Sequence, residues 1–166
     1  MKIRLGQSVM GFYENNSDKQ ILVKQQKTSM PIKLHEHDCS EIIYMVKGSG
    51  IYTVADREYR FTDGSLFFVP SGVGHMISFD SETEFYEFLV TDDAVEKIKS
   101  VVTKDDMEKR RYPEIVSSCT EDSYLKMCKI CAMSYNEYME GFFGNTEILN
   151  SQILIIYVYL LRYAEI

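Results

Sequence analysis

Three histidines and one glutamate form the most informative pattern in the sequence of 166 residues. His35-Glu-His37 places two imidazoles two residues apart, so in a β-strand both project from the same face. Glu41 follows after three intervening residues, and His75 comes after a glycine-containing turn. Imidazole and carboxylate groups are the usual ligands of divalent transition metals, although their spacing does not select one metal. The four side chains therefore predict either a metal site or a buried polar network without an ion.

The chain around these residues is typical of short antiparallel strands separated by tight turns. Runs rich in Ile, Val, Tyr and Phe are bounded by Gly-, Asp- and Ser-containing turns as far as Thr91. Strands of such even spacing predict a mainly β barrel or sandwich over residues 1–91. The predicted strands are Ile21–Ser29, Ile32–His37, Glu41–Lys47, Ile51–Ala55, Glu58–Phe61, Leu66–Pro70, His75–Phe79 and Phe85–Val90.

The alternation of side chains along these strands predicts a mixed pocket inside the barrel. Polar groups of the histidine cluster would meet aliphatic and aromatic walls there, as in many small-ligand sites. The predicted inward-facing residues are His35, His37, Glu41, Ile43, Met45, His75, Ile77 and Phe79. Ile42, Tyr44 and Val46 would face outward and need to be covered by another part of the chain.

Beyond Thr91 the hydrophobic period becomes helical, which predicts a helical region over residues 92–166 that packs on the barrel. Helices are expected to begin at Asp92 or Asp93, at Thr120, and at Asn145 or Thr146. The charged segment 103–118 is expected to be an exposed connection with a short ordered piece.

The last helix carries a spacing that predicts self-association. Its apolar residues repeat at intervals of 4, 3, 4 and 3, as in a coiled-coil interface. A second stripe, Leu154, Val158 and Leu161, lies on another face and would pack on the barrel. The predicted dimer interface consists of Leu149, Ile153, Ile156, Leu160 and Tyr163.

The composition limits the classes of partner. There are 25 acidic and 18 basic side chains, a net charge of −7, which argues against direct binding to nucleic acid. The longest apolar run, residues 153–161, has nine residues and is far shorter than the roughly 20 that span a bilayer. Because an apolar leader is also missing at the start, we expect a cytoplasmic location and reduced cysteines.

The histidine and glycine spacing resembles the paired motif of the cupin superfamily, whose fold is a double-stranded β-helix, or jelly-roll barrel. The matching residues are His35, His37, Glu41 and Gly48, then Gly64, Pro70, Gly72 and His75. Phe79 stands where the second motif usually has Asn, which weakens an enzymatic interpretation. The stretch 35–90 resembles, more narrowly, the N-terminal effector-binding and dimerisation domain of AraC-type transcriptional regulators.

That resemblance implies a sensor that binds a small-molecule effector, forms a homodimer, needs no cofactor and is not an enzyme. DNA would be bound only by a C-terminal helix-turn-helix domain, which we expect to follow this chain because its last helix ends without a stop signal. The implied ligand-binding residues are His35, His37, Glu41, Met45, His75 and Phe79, and the cluster itself could hold Zn, Ni, Fe or Mn. The effector's identity and the choice between activation and repression stay open.

Two alternatives stay open beside the sensor. The first is a stand-alone metal-dependent cupin enzyme, such as a dioxygenase, isomerase or decarboxylase acting on a small acid or sugar. In it the three histidines and Glu41 would hold an ion with open positions for substrate. The second is a barrel that serves only as a dimerisation module.

Overall fold

Two five-stranded sheets face each other, and three helices cover the outer side of one of them. The computed structural model describes residues 8–10, 19–102 and 112–164. Its strands are β1 Ser8–Met10, β2 Ile21–Thr28, β3 Ile32–His37, β4 Ser40–Lys47, β5 Gly50–Val54, β6 Arg57–Phe61, β7 Ser65–Val69, β8 His75–Phe79, β9 Thr83–Val90 and β10 Ile115–Ser118. Its helices are α1 Asp92–Val101, α2 Glu121–Glu140 and α3 Asn145–Arg162.

The two sheets together form a barrel that is open on two sides, where the edge strands of one sheet face those of the other. One sheet runs β1-β3-β8-β5-β6, and the other runs β10-β7-β4-β9-β2. The pairing is antiparallel except between β1 and β3. The predicted mainly β barrel followed by helices is confirmed, and each predicted strand is present to within two residues.

The expected connection over residues 103–118 contains a short ordered piece, as predicted, although its pairing with the sheet was not predicted. Ile115–Ser118 forms β10, which pairs with β7 at the edge of the second sheet. Four residues next to a proline and a charged run give little strand signal, so only tertiary pairing defines this element. The charged part of the predicted connection, residues 103–111, lies outside the described residues.

Side chains of the barrel strands sort into two cores, as alternation requires. The inner core lies between the sheets and contains Ile43, Met45, Tyr52, Val54, Phe61, Phe67, Val69, Ile77 and Phe85. The outer core joins the other face of the second sheet to the helices. Ile42 and Tyr44 belong to this outer core, and Val46 packs against it. The predicted division of β4 into inward and outward residues is therefore confirmed.

The first residues of α1 and α2 follow the usual preferences for helix N-termini, but the residue that caps α1 differs from the predicted one. Thr91, and not Asp92 or Asp93, caps α1, because its hydroxyl accepts a hydrogen bond from the backbone N–H of Ala94. The two aspartates occupy the first turn, where their charge is favourable. Thr120 caps α2 as predicted.

The predicted dimer interface on α3 is wrong for four of its five residues. Leu149, Ile153, Ile156 and Leu160 are buried in the outer core of their own chain, and Tyr163 is half-buried. The 4-3-4-3 spacing identifies a buried stripe correctly, but the surface that covers it is the chain's own sheet and α2. The α3 side chains that stay exposed include Ile148 and Ile155. No helix in the described parts of the chain is long and apolar enough to cross a membrane.

An ion pair joins the free edges of the two sheets on one side of the barrel. The guanidinium of Arg57, on edge strand β6, donates to both carboxylate oxygens of Glu114 at 2.5 and 2.7 Å. Glu114 precedes edge strand β10, and its Oε1 also accepts from the Tyr59 hydroxyl at 2.7 Å. The Glu114 carboxylate is buried, so its charge depends on these donors.

Replacing Arg57 with alanine should destabilise the protein because Glu114 would keep its burial and lose its cation. We expect the free energy of unfolding to fall by about 1–3 kcal/mol in urea titrations. Arg60→Ala is the matched control, because Arg60 lies on the same strand and pairs with exposed Asp80. Equal stability of the two variants would contradict the structural role of Arg57.

Candidate functional site

The predicted His/Glu cluster forms inside the barrel. β3 contributes His35 and His37, β4 contributes Glu41, and β8 contributes His75. The antiparallel register of β3 and β8 places His35 directly opposite His75. All four side chains are buried, and one possible ligand atom from each lies within 4.8 Å of the others.

Backbone carbonyls fix the rings of two histidines. His35 donates from Nδ1 to the carbonyl of Lys33 at 2.7 Å, and His75 donates from Nδ1 to the carbonyl of Val73 at 2.9 Å. Because a carbonyl only accepts, Nδ1 carries the proton in both rings. In the neutral imidazole, Nε2 is then an unprotonated nitrogen free to ligate a metal.

Glu41 is the buried charge at the centre of the cluster. Its Oε2 accepts a hydrogen bond from the Tyr52 hydroxyl at 2.8 Å and lies 3.0 Å from His75 Nε2. Burial opposes ionisation, but the imidazoles of His75 and His37 outweigh it and hold the pKa of Glu41 well below its usual range. The same carboxylate raises the pKa of His75 against the effect of burial. Without an ion, the carboxylate of Glu41 therefore favours the protonated form of His75.

His37 differs from the other two histidines. Both of its ring nitrogens are buried and have no hydrogen-bond partner. Nε2 lies 3.3 Å from Glu41 Oε1, within ion-pair distance but not aligned for a hydrogen bond. Unpartnered buried nitrogens are costly, so this ring indicates a site that is completed by another group.

A cavity of about 260 Å³ lies against the cluster, between β2, β4 and β9 of one sheet and β3 and β8 of the other. β2 is the edge strand opposite β10, so the cavity lies across the barrel from the Arg57–Glu114 ion pair. The cavity has a polar wall, formed by β2 and Glu87, and apolar surface from Ile32, Ile43, Ile77 and Phe85. Its lining residues are Lys24, Gln26, Thr28, Met30, Ile32, His35, Glu41, Ile43, His75, Ile77, Phe85 and Glu87.

Three of the predicted ligand-binding residues lie off the cavity wall. Met45 is fully buried in the inner core, and Phe79 packs against that core. His37 belongs to the cluster but does not line the cavity. Their roles as ligand contacts stay predictions, whereas His35, Glu41 and His75 both line the cavity and form the cluster.

Sequence reasoning missed the polar wall. Lys24 and Gln26 on β2 both reach Glu87 on β9, at 3.5 and 3.3 Å from its Oε2. Burial and the nearby charge of Glu41 raise the pKa of Glu87 to about 7. A signal was available, because Lys24, Gln26 and Thr28 alternate along a strand whose other residues include the buried Ile21 and Val23.

The cluster fits a divalent ion. When neutral, His35 and His75 each have an unprotonated Nε2 that can bind a metal. The ring nitrogens of His37 have no hydrogen-bond partner, and the carboxylate of Glu41 lies close to all three rings. Metal-ligating histidines commonly donate their second N–H to a backbone carbonyl, as His35 and His75 do. The donor set suits Zn, Fe, Ni or Mn.

Comparison with known proteins agrees with this fold and site. A family model described as a cupin domain matches residues 21–91, which include every residue of the cluster and the cavity wall. The barrel is therefore a cupin domain.

The relatives define the kind of cupin more narrowly. The HTH-type transcriptional activator RhaR of Pectobacterium carotovorum is 30% identical over 60 residues, which is 36% of this chain and 21% of that protein. ToxT K231A of Vibrio cholerae has the same fold over 86% of this chain and 55% of its own, with a TM-score of 0.62 and 12% identity. ToxT bound to an unsaturated fatty acid gives a TM-score of 0.57, with 84% of this chain and 52% of its own covered, at 12% identity.

The chain is thus similar in sequence to the regulator RhaR over 60 residues and shares its fold with ToxT, in agreement with the resemblance found in the sequence. It spans about a fifth of the length of RhaR in the matched stretch and about half of ToxT.

The buried histidines predict a pH dependence of stability. Burial and the charge of His75 lower the pKa of His35 from 6.5 to about 4. The fold therefore disfavours protonated His35, and this contribution is complete above pH 6.5 and lost as the pH falls to 4.

Over that pH window the parent protein should lose about 1–3 kcal/mol more unfolding free energy than the His35→Gln variant. His75 and Glu87 titrate in both proteins, so the difference between the two curves reports His35 together with its interaction with His75. Urea unfolding at several pH values measures it, and parallel curves would contradict the assignment.

Proposed function

We propose that this chain is the ligand-sensing domain of an AraC-type transcriptional regulator in the cytoplasm. A small molecule binds in the cavity above His35, Glu41 and His75 and alters how a DNA-binding domain is presented. The observation that carries the proposal is a cavity with a polar and an apolar wall that ends on a buried cluster of ligating groups. The relationship to RhaR supports it, since that protein is a transcriptional activator.

The walls indicate an amphipathic effector. Gln26 and Thr28 offer neutral hydrogen-bonding groups and Lys24 a positive charge. Ile32 and Ile77 offer apolar surface across the cavity, and Phe85 offers it beside Gln26. A hydrophobic body with one polar edge satisfies both walls.

Gln26 should contribute directly to effector binding. A panel containing a hexose, a short aliphatic acid and an unsaturated fatty acid is screened for compounds that raise the melting temperature. For any such compound, Gln26→Ala should weaken binding about tenfold through the loss of one buried hydrogen bond.

Gln25→Ala is the matched control, because the neighbouring Gln25 side chain is exposed on the other face of β2. Calorimetric titration of the three proteins measures the affinities. Equal affinities of the parent and the Gln26→Ala variant would contradict the proposed binding wall.

The proposal keeps the homodimer but moves its interface. Ile148 and Ile155 lie on the exposed side of α3, seven residues apart, the repeat with which helices associate in register. A second copy of this chain would cover both isoleucines with the same residues of its own α3.

Ile155→Glu should convert the dimer to a monomer, because a charge would be buried at the new interface. Analytical ultracentrifugation measures the change, and the urea midpoint should stay that of the parent. Met76→Glu introduces the same charge at an exposed apolar residue of the barrel and serves as the control. A sedimentation coefficient equal to that of the parent in both variants would contradict the interface.

A divalent ion is the second part of the proposal. His35, His37, Glu41 and His75 would hold it at the base of the cavity, where it would supply a Lewis acid for an oxygen atom of the ligand. The same arrangement favours the metal-dependent enzyme as the second candidate function. The relationship to transcriptional regulators supports the sensor and a non-enzymatic role.

A further inference from the structure

Glu87 is a second buried carboxylate beside the His/Glu cluster, outside the cupin-like motif. It lies on β9 between Ile43 of β4 and Lys24 of β2, all three on the inner side of the sheet. Its side chain is 9% exposed and lines the cavity. A second acidic group so close to Glu41 is unfavourable unless a cation or a hydrogen-bond donor compensates it.

The two oxygens of Glu87 have different surroundings. Oε2 accepts a hydrogen bond from Gln26 at 3.3 Å and pairs with Lys24 at 3.5 Å. Oε1 points to the cluster and lies 4.0 Å from Nε2 of His37. The anchored oxygen fixes the carboxylate, so the other oxygen faces the cluster, where His37 and Glu41 are its neighbours.

His37 is the histidine that lacks an orienting partner. His35 and His75 each donate one ring N–H to a carbonyl of their own strand region, and neither nitrogen of His37 does so. A ligating histidine needs an acceptor for its second N–H, which fixes the ring and strengthens the metal-bound nitrogen. Among the residues that the structure describes, the carboxylates in ion-pair contact with His37 are those of Glu41 and Glu87.

We propose that Glu87 is the positioning residue of His37 in the metal-bound protein. Its Oε1 accepts the N–H of His37 Nε2, the nitrogen that lies nearer to it, which leaves Nδ1 of His37 to bind the ion. Its charge, added to that of Glu41, balances a divalent cation. The inference rests on the proposed metal site. It explains why a polar wall of Lys24 and Gln26 holds an acidic group at this depth in the barrel.

The test uses the purified chain, stripped of metal by a chelator and titrated with Co²⁺ and Zn²⁺. Glu87→Gln keeps the size of the side chain but removes its charge, and should raise the Co²⁺ dissociation constant about tenfold. The visible absorption of bound Co²⁺ should also change, since His37 would be held differently. Glu87→Asp should restore part of the affinity.

Glu84→Gln is the matched control, because Glu84 lies on the same strand, is exposed and pairs with Lys27. Its Co²⁺ affinity and spectrum should equal those of the parent. The metal-free Glu87→Gln protein should melt no lower than the parent, which separates weaker binding from misfolding.

Two results would overturn the inference in distinguishable ways. If the parent binds Co²⁺ and Glu87→Gln matches it in affinity and spectrum, the role of Glu87 is wrong and the metal site stands. If the parent takes up neither ion, the metal site and the inference fail together.

Discussion

The buried negative charge of Glu41 is the constraint around which the barrel interior is organised. A carboxylate at this depth is stable only with donors or cations close by. Tyr52 supplies a hydrogen bond, and imidazole nitrogens of His37 and His75 lie 3.3 and 3.0 Å from its two oxygens. The carbonyls that fix His35 and His75 are therefore part of the same arrangement. The proposed ligand site, the proposed metal site and the predicted pH dependence all involve this one group.

The two sides of the barrel at which the sheet edges face each other are different. An ion pair joins the sheets on one side, and a cavity lies between them on the other. On one side, Arg57 and Glu114 join β6 to the segment before β10, so the two sheets are held together there. On the other side, the cavity lies between β2, β4 and β9 of one sheet and β3 and β8 of the other. The helices pack on the outer face of the second sheet, which includes β2 and β9. A ligand that contacts the polar wall would therefore act on strands shared by the cavity and the helical layer.

Much of this arrangement is predictable from local sequence, and the exceptions have physical causes. The spacing of His35, His37 and Glu41 defines a strand face, and Thr120 marks the start of α2 through its capping chemistry. Glu87 escapes prediction because alternation groups it with Phe85 and Leu89, but only the pairing of β9 with β4 shows that this group faces the interior. The stripe on α3 is predictable as buried, but its spacing does not reveal whether its own chain or a partner covers it.

The protonation state of His75 tests the account most directly. Long-range ¹⁵N–¹H NMR spectra of the histidines distinguish an imidazolium from a neutral ring. At pH 6.5 the metal-free protein should show His75 more than half protonated, because Glu41 raises its pKa. Saturation with Zn²⁺ should convert the ring to the neutral form protonated at Nδ1, with release of a proton. A His75 that is neutral at pH 6.5 and unchanged by Zn²⁺ would contradict the central role of the Glu41 charge.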